Sequence, residues 1–136
     1  MKRDKRPRLK KVLKLTNKIM SHPMFHSVIE EEIGIELSRQ FKQLLKSKEK
    51  IDVVFYRPWW RWSRVNAYEQ EGIIYLNERK FWKRSIDQWA FTVIHEITHV
   101  FGYSHNGNFR TKENLESVPY KTDSIAEHVW KTFIRS

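Results

Sequence analysis

Hydrophobic positions recur along this chain at two spacings, and the changes between them lay out its elements. Leu9, Val12, Leu13, Ile19 and Met20 follow one another at intervals near 3 and 4, the period of one helix face. That short helix should end before His22-Pro23, because a residue preceding proline disfavours the helical region. A second helix is predicted from Phe25 to about Lys48, with Ile29, Ile33, Leu37, Phe41 and Leu44 on one side, backing a sheet. Residues 51–56 are rich in β-branched and aromatic side chains and read as a strand stopped at Arg57-Pro58. Tyr68 and residues 73–77 flank Glu71-Gly72, a pair suited to a tight hairpin turn, so a strand pair is expected near 65–77. Ser85-Ile86-Asp87-Gln88 has the form of a capping box and opens a helix. The apolar residues of that helix, from Ile86 to Phe101, fall in one stripe of roughly 140° at about 100° per residue. Gly102 supplies its terminator. A closing helix over 123–134 turns Ile125, Ala126, Val129, Trp130 and Phe133 inward.

This order of elements is an α+β fold, and 136 residues suit one domain. With 0 Cys there is no disulfide framework, thiolate zinc site, iron–sulfur cluster or cysteine nucleophile. Any metal must be held by carboxylates and the 6 His. No stretch approaches about 18 consecutive apolar residues, and the N-terminus lacks the apolar run of a secretory signal, so the chain reads as soluble and intracellular or cytoplasmic. The net charge of +10 is uneven: residues 1–50 carry 14 basic and 6 acidic side chains, whereas residues 51–136 carry 12 and 10. Residues 1–20 are therefore read as a basic N-terminal arm, frayed over its first eight residues, with nucleic acid as a possible partner. Residues 21–136 are read as the single folded domain.

The chemistry concentrates in His95-Glu96-Ile97-Thr98-His99-Val100-Phe101-Gly102-Tyr103-Ser104-His105. His95 and His99 stand four apart, stacked on the helix face opposite the apolar stripe. For this composition an HExxH string arises by chance only about 0.02 times per chain. Two imidazoles at that spacing can reach one ion, but a third ligand must come from beyond the helix, because another turn would carry it away. Gly102 can take the left-handed conformation that brings His105 back. Three neutral imidazoles leave a fourth position for water, whose pKa zinc lowers toward about 7. Glu96, beside it, is placed to accept the proton and pass it to a leaving amine.

At every fixed position this string resembles the HExxHxxGxxH signature of the metzincin metalloproteases. The resemblance implies a zincin-like fold: a small twisted sheet with a backing helix, an active-site helix and a C-terminal helix. It implies Zn2+ held by His95, His99 and His105, Glu96 as catalytic base, a peptide or protein substrate, and a substrate-binding edge within 65–77. Metzincins continue to a methionine-containing turn, whereas the 3 Met here lie at positions 1, 20 and 24. Ser117-Val118-Pro119-Tyr120 resembles a shortened, methionine-free version, with Tyr120 as an oxyanion donor.

His105-Asn106-Gly107-Asn108-Phe109 also resembles a segment of the SprT-like and WLM-type proteases that digest protein crosslinked to DNA. That resemblance gives a DNA-associated protease as the alternative. A non-catalytic, basic nucleic-acid-binding module with a structural zinc is the contrasting class. Trp59, Trp60 and Trp62 are expected in the core, the default for tryptophan, with a substrate cleft or stacked bases as their functional places. His22, His26 and His128 lack ligand spacing and read as structural or surface residues.

Overall fold

The computed structural model describes residues 3–105 and 111–135, a mixed α+β arrangement. Helices α1 (Arg6–Met20), α2 (Pro23–Glu32) and α3 (Ile35–Lys46) precede strands β1 (Val53–Tyr56), β2 (Ala67–Gln70) and β3 (Ile73–Asn77). A 3-10 segment, Glu78–Lys83, leads into α4 (Ile86–Val100), followed by α5 (Lys112–Leu115) and α6 (Val118–Val129). The last helix passes into a π-helical turn over Trp130–Ile134. Among the described residues no helix is long and apolar enough to cross a membrane.

The apolar stripe of α1 is built into the core. Val12 and Ile19 are fully buried, and α1 packs along α4. Lys10, Lys11, Lys14 and Lys18 keep the opposite side in solvent. The fraying expected of the first eight residues is not what residues 3–8 show. Lys5 pairs with Glu78 at 3.0 Å, and the Arg8 guanidinium donates to the carbonyls of Phe81 and Arg84. These fixed acceptors outweigh the repulsion among solvated lysines.

The single helix expected over 25–48 is two. Gly34 takes φ 152° and ψ 164°, a conformation essentially confined to glycine, and the chain folds back so that α2 and α3 pack on each other. A 3.6-residue count cannot see this break, because apolar residues continue on both sides of it. Nor does this pair back the sheet; β2 and β3 lie on α4 instead.

The sheet has the order β1-β3-β2. Strand β1 runs parallel to β3, with Val53 opposite Ile74, and β2 runs antiparallel, with Ala67 opposite Leu76. The hairpin turns where expected, with Glu71 and Gly72 at φ 53° and 81°, the left-handed pair that such a two-residue connection requires. Ser85 and Gln88 form the reciprocal capping box at the start of α4. Trp89, Ala90, Val93, Ile94 and Ile97 are buried behind it.

Three further expectations fail. The last helix begins at Val118 rather than Asp123, with Pro119 in its first turn, where a missing N–H costs nothing. Residues 118–120, read above as a metal-side turn, are therefore helical, while Phe133 is exposed. Trp59, Trp60 and Trp62 are 93%, 53% and 69% exposed. Their loop leaves the end of β1 and passes outside the core.

Because α1 shares the core of α4, Ile19→Ala should destabilise the protein by ~2–5 kcal/mol in urea unfolding. Lys14→Ala, on the solvated side of the same helix, should stay within ~0.5 kcal/mol. Equal small effects from both would show that α1 is not part of the cooperative unit.

Candidate metal centre

The centre is assembled from one helix, the turn that ends it, and a second helix laid across it. Helix α4 carries His95, Glu96 and His99. At its end the Gly102 N–H donates to the carbonyl of His99 and the Tyr103 N–H to that of Thr98. These are the two bonds of a Schellman motif. Gly102 sits at φ 102°, which an L side chain rarely adopts. The reversed chain is pinned where the Tyr103 hydroxyl donates to Gln40 of α3 at 2.8 Å. His105 then lies against His95 and His99, with ring centroids 5.1 and 4.8 Å away.

The imidazoles are oriented through their Nδ1 atoms. That of His99 donates to the carbonyl oxygen of Tyr103 at 2.8 Å, and a carbonyl can only accept. That of His95 donates to Asp123 Oδ2 on α6 at 2.7 Å. Both rings are thereby oriented through Nδ1, with Nε2 turned toward the third imidazole. The two Nε2 atoms converge on His105 Nε2 at 3.0 and 3.2 Å.

A divalent ion with Zn–N bonds of about 2.0–2.1 Å separates tetrahedral nitrogens by about 3.3 Å, close to this spacing. Three Nε2 atoms at this spacing can be offered to one cation. Among the described residues these three histidines are the group that can hold a metal ion. The carboxylate behind His95 is a feature of such ligands, since it fixes the tautomer and raises basicity.

This face of α4 is largely covered. His95 and Glu96 are only 8% and 6% exposed, because α6 and β2 close over them. A cleft of about 540 Å³ remains, lined by the three histidines, Glu96, the β2 segment 67–69 and Asp123 of α6. Burial pushes the Glu96 carboxyl up to about 7; the charges of Glu69 and Asp123 add to this and His95 opposes it. Burial likewise lowers the pKa of His99, with its bond to Tyr103 opposing and His95 and His105 reinforcing. A His99 that resists protonation keeps its Nε2 lone pair.

Tyr120 reaches the centre from the first turn of α6. Its ring packs against those of His95 and His105, at 4.7 and 4.8 Å. His26 is a buried structural residue bonded to the Met20 carbonyl, His22 caps α2 through Met24, and His128 is exposed. Residues 106–109, which carry the second resemblance, lie outside the described residues. Sequence reasoning missed Asp123 as a site residue. Its spacing of three from Tyr120 places both on one face of α6 only because that helix begins at Val118, ahead of the expected start.

Asp123→Ala should weaken divalent-ion affinity about 10- to 100-fold in a competition titration with a chromophoric chelator. An unchanged affinity would remove Asp123 from the centre. A second expectation concerns pH. The Glu96 carboxyl holds its proton to about 7 in the folded chain, against 4.5 as its ordinary value. Stability due to that proton is full below about 4.5 and lost as pH rises through about 7. In chelator-stripped protein, Glu96→Gln should therefore match the parent near pH 4 and exceed it by about 3 kcal/mol near pH 8. A difference independent of pH would contradict the burial of an ionisable group there.

The chain matches no protein-family profile, no curated protein and no solved structure.

Proposed function

We propose that this chain is a zinc-dependent endopeptidase with a zincin-like, metzincin-related centre. The observation that carries the reading is the convergence of three imidazole Nε2 atoms, at 3.0 and 3.2 Å, in a cleft that also holds a buried glutamate. His95, His99 and His105 would hold the ion, and neutral imidazoles without thiolates suit zinc. Bound there, it supplies Lewis-acid chemistry, acidifying water and polarising a carbonyl.

The remaining work falls to the chain itself. Glu96 accepts a proton at its carboxylate and returns it to the leaving amine. Burial of that carboxylate strengthens its interaction with charge arising in the cleft. Strand β2 lies at the sheet edge, and Ala67, Tyr68 and Glu69 line the cleft. An extended peptide could pair with that edge through main-chain hydrogen bonds, presenting its carbonyl to the centre. Tyr120 is the oxyanion donor in this reading, standing against two of the ligands without a methionine turn.

Glu96→Gln preserves shape and removes the base. The variant should retain about one zinc per chain by elemental analysis while losing cleavage of a quenched fluorescent peptide by about 10²-fold or more. His105→Ala should lose most of its zinc as well as its activity. Cleavage unchanged in Glu96→Gln, or full zinc retention in His105→Ala, would overturn the assignment.

A further inference from the structure

On the side of the sheet where the exposed tryptophans sit, three distant segments meet around a second cleft of about 420 Å³. They are the start of the chain, the loop after β1 and the 3-10 segment after β3. Six of the nine residues lining it are Lys or Arg, and Glu78 is the one acid. Glu78 compensates Lys5 at 3.0 Å and reaches Arg57 only at 3.9 Å, which leaves a formal excess of five positive charges in a confined space. Such crowding opposes the compact state unless an anion enters. The remaining lining residues are Trp62 and Trp82.

Cations and ring faces alternate within this cleft. The Arg3 guanidinium stands 4.5 Å over the Trp82 ring and that of Arg61 5.3 Å over the Trp62 ring. Arg79 donates to the Pro58 carbonyl at 2.9 Å and so ties the loop to the 3-10 segment. Trp59 and Trp60 lie on the same loop, more than half exposed.

We propose that this cleft binds single-stranded nucleic acid, with phosphates on the arginines and an unpaired base stacked on Trp62. Guanidinium groups match phosphate oxygens, and tryptophan faces take bases of any identity. A duplex hides its base faces, and a bilayer surface offers phosphates but no flat ring to stack on Trp62. The inference is independent of hydrolysis at the other centre. Trp62 and Lys83 line this cleft, and their near chain neighbours Arg64 and Arg84 line the other.

The test is fluorescence anisotropy of the full chain with a labelled oligothymidylate of about 12 nucleotides, with tryptophan emission followed in parallel. Binding should quench that emission and weaken with salt, log affinity falling by about 0.7 per log unit for each phosphate contacted. Trp62→Ala should weaken binding roughly tenfold and remove part of the quench, while Trp62→Phe restores most of the affinity. Arg61→Glu should weaken binding and flatten the salt dependence. Both side chains are exposed, and Arg61→Glu with Trp62→Phe keeps the test decisive if Trp62→Ala fails to fold. No binding at low salt, or affinity unchanged in Trp62→Ala and Arg61→Glu, would overturn the proposal. So would tighter binding of duplex without a quench, or binding only to phosphatidylserine-containing vesicles, the membrane outcome.

Discussion

A helix covered on both faces needs an apolar partner for one and hydrogen-bonding partners for the other, and α4 finds both. Its back carries Trp89, Val93 and Ile94 into the core beside α1. Its front carries His95 and Glu96 under α6 and the hairpin. The apolar side fixes the rotation of the helix; on the polar side the His95 and His99 rings are each held by a hydrogen bond, and burial raises the pKa of Glu96. A buried imidazole or carboxyl without partners would cost more than one apolar contact returns. Everything at the centre depends on this double burial, since it restricts the side-chain freedom of His95 and Glu96.

The answering groups come from three directions. Asp123 arrives on α6, the Tyr103 carbonyl on the reversal after Gly102, and His105 a little further along. Two of them act on the far nitrogen of a ring, leaving the near nitrogen to face the others. Orientation thus comes from outside the trio, while the Nε2 atoms face His105 at 3.0 and 3.2 Å. The raised pKa of Glu96 follows from the same enclosure, with burial as the leading cause. Enclosure thus prepares both a set of lone pairs and a basic carboxylate in one cleft.

Charge is handled differently at the two ends of α1. The lysines along its middle remain in water, whereas Lys5 and Arg8 reach across to the 3-10 segment that precedes α4. That segment is consequently held from both sides, by α1 and by the Arg79 bond to the loop after β1. The tryptophans of that loop are displayed because the core is already filled by Phe81, Trp89 and Phe25. Their exposure leaves aromatic faces beside guanidinium groups, and no part of the core calls for such a surface.

The sequence by itself determined the local features whose cause is local. The Ser85–Gln88 capping box, the Glu71-Gly72 turn, the apolar stripe of α4 and the HExxHxxGxxH spacing each depend on a few neighbouring residues, and each was legible. Periodicity was weaker wherever apolar residues continued across a break, as at Gly34, or where a proline sat comfortably in a first turn, as at Pro119. Tertiary structure alone decided which helix supports the sheet, that the charged start of the chain is anchored, and that three tryptophans face solvent. It also decided the partner of His95, because Asp123 lies 28 residues away along the chain and no local rule connects them. Long-range pairing of this kind is set by which surfaces remain to be buried once the local elements exist, a property of the whole chain packed together.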